Sequence, residues 1–154
     1  MIGKVKKWFG IEGLKIAVEL EDKYSRDDQK VRGLIILQAK EEEVVESIRI
    51  KLIEKYSRGR GKNRLIDEYT MADELFTKTY QVEANSDFEI PFEISYQEMV
   101  SNMDEIERKN FLFKGVIALA KFARNANSIY RVEIEAKVSG TKFSPFVSQE
   151  IQFV

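Results

Sequence analysis

Apolar and polar positions alternate most cleanly over residues 128–139, where Tyr130, Val132, Ile134, Ala136 and Val138 occupy one phase and Arg131, Glu133, Glu135 and Lys137 the other. Successive side chains of a strand point to opposite faces, so this pattern predicts a strand with one wet side. Residues 14–21 repeat it, with Ile16, Val18 and Leu20 set against Ala17, Glu19 and Glu21. Residues 22–30 read as a polar turn. Residues 31–39 are apolar in both phases, which predicts a strand covered on both faces. The next strand puts Ile48, Ile50 and Leu52 inward and Arg49 and Lys51 outward, and runs toward Tyr56 until Gly59 and Gly61 break it. A last strand is expected over residues 146–154.

Phe76, Lys78, Tyr80 and Val82 alternate, as do Phe88, Ile90, Phe92 and Ile94, and the Asn85-Ser86-Asp87 stretch between them predicts a hairpin. Pro91 has no N–H to give to a ladder, which places the second run at a sheet edge or a bulge. Ser95 and Glu98 match a capping box flanked by a staple pair, Ile94 and Met99, so a helix is expected to start there. Helical stripes follow through Met99, Met103 and Ile106, then Phe113, Val116, Ile117 and Ala120. One straight rod over residues 96–124 would be about 42 Å long, so a break is expected between Glu107 and Gly115. About seven strands with a single helical insertion predict a mainly β, two-sheet β-sandwich forming one domain over residues 1–154. If residues 47–56 and 129–138 are neighbours, Arg49 and Lys51 face Glu133 and Glu135, worth roughly 0.2–1 kcal/mol per pair.

Composition narrows the function more than it names it. The 154 residues include no Cys and no His, and Lys+Arg 25 against Asp+Glu 26 leaves a net charge of -1. The commonest general base, the thiol nucleophile and most zinc ligands are therefore missing. Adjacent carboxylates such as Asp67 with Glu68 or Asp73 with Glu74 would point to opposite faces of a strand, which makes no acid–base dyad. Asp22, Asp27 and Asp28 do not fit a calcium loop. A non-enzyme with no metal and no cofactor is expected. The near-zero net charge argues against nucleic acid as a partner. No apolar run reaches the roughly 20 residues of a spanning helix, and residues 1–13 lack the apolar core of a secretory signal, so a cytoplasmic location is expected.

Four stretches carry a family resemblance. They are Lys6-Lys7-Trp8-Phe9-Gly10-Ile11-Glu12-Gly13 ahead of a strand; Tyr24 followed by a turn and Val31-Arg32-Gly33; Ile90-Pro91-Phe92-Glu93-Ile94; and Tyr130-Arg131-Val132-Glu133-Ile134. Together they resemble the arrestin-like superfamily, in its bacterial sporulation-control-type branch. The chain departs from that pattern in three places. Arg26-Asp27 stands where Pro-Gly is usual, there is room for one lobe rather than two, and the helical insertion follows the Pro-Phe strand instead of preceding it. The resemblance implies an immunoglobulin-like sandwich and a non-catalytic adaptor or scaffold that binds other proteins through sheet edges, loops and basic surface.

Two surfaces stand out as candidates. Lys55, Arg58, Arg60, Lys62 and Arg64 fall in a stretch with no acid and two glycines, a flexible positive loop suited to anionic or phosphorylated groups on a partner; the plainer reading is a solvated hairpin tip. Lys4, Lys7, Trp8 and Phe9 form a basic-aromatic segment that suits a membrane surface, against the alternative of a helix packing its aromatic side onto the sheets. Met99, Met103, Phe111, Phe113 and Phe122 read as core more readily than as a binding groove. A homo-oligomer paired through the Pro91 edge or the last strand is a further expectation.

Overall fold

The chain's alternating runs become strands that build two sheets around one core. The computed structural model describes residues 4–11, 13–59, 65–96, 127–142 and 144–154. In order these form β1 (Lys4–Ile11), β2 (Leu14–Glu21), β3 (Lys23–Tyr24), a single 3-10 turn (Arg26–Asp28), β4 (Lys30–Ala39), β5 (Glu43–Arg58), β6 (Leu65–Phe76), β7 (Tyr80–Val82), β8 (Asp87–Ser95), β9 (Asn127–Val138) and β10 (Phe146–Phe153). One sheet has the order β1-β2-β4-β8 and the other β3-β10-β9-β5-β6, with β7 also beside β5. Among the described strands every pairing is antiparallel except the short one between β3 and β10, and a single parallel bridge joins Ala39 to Ala84.

The apolar phases explain how the sheets close on each other. Ile16, Val18 and Leu20 of β2 and Ile35 and Leu37 of β4 pack with Ile48, Ile50 and Leu52 of β5, Val132 and Ile134 of β9, and Val147 of β10, all nearly or wholly buried. Fully burying one such aliphatic side chain is worth about 1.5–3 kcal/mol, so this set is the main stabilising term. Gly33 makes the close approach of β2, β4 and β8 possible. A Cβ there would lie 2.6 Å from the side chains of both Leu20 and Phe92. The missing side chain is what lets Phe92 swing under β4.

Several expectations hold in detail. β2, β9 and β10 lie where the alternation put them, and the β5–β9 register sets Arg49 opposite Glu135 and Lys51 opposite Glu133. Ile35, Ile36 and Leu37 are consecutive buried residues, so β4 is covered on both faces in its second half, while Arg32 is exposed. β8 borders its sheet, and Pro91 lies on that margin opposite Leu34.

Others are corrected. The basic-aromatic lead is a strand and not a helix: β1 pairs along its length with β2, because hydrogen bonding to an available edge outweighs a short, weakly amphipathic pattern. The expected hairpin of residues 76–82 with 88–94 does not form. Phe76 ends β6, β7 pairs with β5 in one sheet, and β8 crosses to β4 in the other. Tyr80 and Phe88 still meet edge-on, with ring centroids 5.7 Å apart. The polar turn over 22–30 contains β3 and the 3-10 turn, closed by Gln29 at φ 51°. The expected helical insertion over 96–124 lies outside the described residues except for Tyr96, which is buried.

Candidate binding surfaces

The end of the molecule where β4 begins and β8 and β10 finish is fastened by aromatic rings. Tyr24 lies on the two-residue strand β3, and its Oη accepts a hydrogen bond from the Glu21 N–H at 3.0 Å and donates one to the Arg32 carbonyl at 2.7 Å. The ring therefore pins the turn between β2 and β4 to both strands. Burial pushes the Tyr24 hydroxyl up to about 12. Phe153 of β10 is the hub of the cluster, with ring centroids 4.8 Å from Tyr130, 5.2 Å from Tyr96 and 6.3 Å from Tyr24. The Arg26 guanidinium lies 5.8 Å from the centre of the Tyr130 ring. Burial, then Glu54, raises the Tyr130 hydroxyl as well. This cluster supports the fold; of its members, the sequence marked only Tyr24 and Tyr130.

The basic loop is the tip of the long β5–β6 hairpin. Lys55 and Arg58 occupy the last residues of β5, opposite Glu68 and Leu65, and Gly59 turns the chain with φ 91°. Arg60, Lys62 and Arg64 lie outside the described residues. The hairpin thus brings Lys55 and Arg58 to the end of β5.

β6 forms a strand that the alternation did not reveal. Leu65 to Thr70 are all exposed, so no apolar face marks this half of the strand. At Leu52/Ile53 the register shifts, leaving Met71 as an extra residue in β6. That bulge reverses the phase of the strand. Residues 65, 67 and 69 stand on the core side before it, opposite Arg58, Tyr56 and Glu54, and residues 72, 74 and 76 after it. The outer side carries the ion pairs. Arg49 grips Asp73 with two hydrogen bonds of 2.7 Å, and Arg131 spans Glu68, at 3.0 and 3.2 Å, and Glu133, at 2.8 Å. Hydrogen bonds from Arg49 and Arg131 hold the Asp73 and Glu68 carboxyls below the usual carboxylate range.

The margin formed by β8 is arranged differently. A proline can take only a non-hydrogen-bonded position in an antiparallel pair without costing a ladder bond, so Pro91 turns its nitrogen to the open side. Glu89, Pro91 and Glu93 are exposed between buried Ile90, Phe92 and Ile94. Glu93 forms ion pairs with Lys30 and Arg32 of β4, and its carboxyl is lowered chiefly by the Arg32 hydrogen bond. On the opposite margin β1 sets Lys4 beside Glu21, Lys7 beside Val18, Trp8 beside Ala17 and Phe9 beside Ile16, so all four basic-aromatic residues belong to a hydrogen-bonded strand. Among the described residues no helix is long and apolar enough to cross a membrane, and no group of three or more acidic residues gathers as a metal site.

Comparison with known proteins bears on this arrangement. Residues 2–110 match the family model described as SpoOM protein. No curated protein matches the chain by sequence. Among solved structures the chain is similar to the crystal structure of Spo0M, the sporulation control protein from Bacillus subtilis, at 12% identity and a TM-score of 0.60. The similarity covers 93% of this chain and 50% of that one, so this chain spans half the length of the solved protein. At that identity the likeness is one of fold.

Proposed function

We propose, from the premise that the chain belongs to the SpoOM protein family, that it is an arrestin-like, immunoglobulin-like sandwich acting as a non-catalytic adaptor in sporulation-type control. It binds other proteins through its sheet edges, and the β5–β6 tip contacts anionic groups. The observation that carries this reading is the hairpin itself. Lys55 and Arg58 lie at the end of β5 beside the exposed outer half of β6, and they open an acid-free run that continues in the sequence through Arg60, Lys62 and Arg64. Guanidinium forks in that position suit carboxylate or phosphate groups of a partner. The lack of histidine and cysteine supports a role in contact rather than in bond-making.

Affinity capture from native cells tests the tip. Changing Arg58, Arg60, Lys62 and Arg64 together to Gln is expected to remove the partners that the unaltered chain captures. Recovery of the same set by the variant would eliminate the tip as the contact. The alternative for Lys4, Lys7, Trp8 and Phe9, a membrane surface, is separated by sedimentation with anionic vesicles at low salt, where an adaptor stays in the supernatant.

A further inference from the structure

Five strands border the two sheets among the described residues, and four of them are short or carry devices that discourage pairing with another strand. β1 has Lys4, Lys6 and Lys7, β3 is two residues long, β7 is three residues long, and β8 turns Pro91 to its open side. β6 is different. Its 12 residues include no proline, glycine or lysine, and its apolar side chains are laid open, with Leu65 at 54%, Ile66 at 50% and Leu75 at 55% exposure. A margin of this length and character is a template for an added strand.

Charge says what that strand is. On the outer side Glu68 and Asp73 are compensated by Arg131 and Arg49. On the core side, by register, stand Asp67 and Glu74, which have no ion pair among the described residues. A second copy of β6 laid antiparallel along its whole length would set Asp67 against Glu74 and Glu68 against Asp73. Like charges directly opposed destabilise a pair of strands. The same acids favour a strand carrying cations.

We propose that the edge of β6 left unpaired among the described residues receives an extended segment of a partner protein as an added strand, and that this segment alternates apolar and basic residues. Main-chain hydrogen bonds to β6 supply affinity, Ile66 and Leu75 on the outer side take the apolar side chains, and Asp67 and Glu74 on the core side select the basic ones. The proposal rests on the adaptor reading and names one edge and the chemistry of what it takes.

The test uses the full chain and a fluorescent peptide of alternating valine and lysine about as long as β6, with a valine–glutamate peptide as counterpart. The lysine peptide is expected to bind and to shift backbone amide resonances of residues 65–76, while the glutamate peptide does not bind. Changing this acidic pair by Asp67→Lys and Glu74→Lys should weaken the lysine peptide roughly tenfold and let the glutamate peptide bind. No binding of the lysine peptide, shifts centred on β1 or β8, or equal affinity after the charge reversal would overturn the proposal. So would a dimer of the unaltered chain that the reversal dissociates, since the occupant would then be a second copy. The reversal leaves the basic tip intact, and the glutamine variant of the tip leaves β6 intact, so either reading can fail alone.

Discussion

The β6 and β8 margins solve the problem of an unpaired strand in opposite ways. β8 alternates strictly, buries Ile90, Phe92 and Ile94, and offers the open side a proline and two carboxylates. β6 is longer, bulged at Met71, exposed on both faces over its outer half, and anchored to its neighbours by arginine–carboxylate contacts more than by core packing. A margin that is rigid and blunted protects the fold, whereas one that is exposed and unprotected is available for use. The lesson is that burial and accessibility have been divided between these two margins rather than shared by both.

The largest expected effect attacks the rigid side. Gly33→Ala would force its methyl into Phe92 and Leu20, and a loss of about 1–3 kcal/mol is expected in urea unfolding, with β8 amides exchanging faster than those of β6. An unchanged midpoint would show that β8 is less tightly held than its burial implies. Pro91→Val addresses the blunting directly. It restores an outward donor without touching the ladder to β4, so stability should barely move while sedimentation reveals more self-association than in the unaltered chain. Unaltered sedimentation would assign the protection to Glu89 and Glu93 alone.

The smallest effect belongs to the β6 side and depends on pH. Asp73 is held below its ordinary value by Arg49, so the pair's contribution is present above the unfolded carboxylate range and disappears as pH falls through the lower folded value. Arg49→Gln should therefore lower the melting temperature slightly at neutral pH, less so in high salt, and not at all in strong acid. A difference that persists unchanged into acid would mean that Arg49 acts by packing its stem and not by its charge.

The same contrast governs what could be read from the chain. β2, β9 and β10 were legible because each has one buried and one wet phase. The facing of Arg49 and Lys51 with Glu135 and Glu133 followed from matching charge patterns on two such strands. β6 was not legible because Leu65 to Thr70 are all exposed and the bulge at Met71 reverses the phase midway. Missing β6 also hid Asp73, the residue that Arg49 grips most closely. Alternation identifies a strand without naming its partner, which is why residues 80–82 and 88–94 read as a hairpin when they belong to different sheets. In the candidate site, the acid-free run was plain from the letters alone. Its position at a hairpin tip, and the open edge beside it, depend on pairings between residues far apart in sequence.

β3 and β10 are joined in parallel, Lys23 beside Gln152 and Tyr24 beside Phe153, so the early tyrosine and the late phenylalanine meet only when everything between them is in place. Such distant closure makes for slow folding, in the millisecond-to-second range typical of β topologies. During synthesis the half-built layers must wait with their aliphatic faces uncovered until β10 arrives. A cell making this protein therefore has to shield the nascent chain for longer than it would a helical protein of equal size.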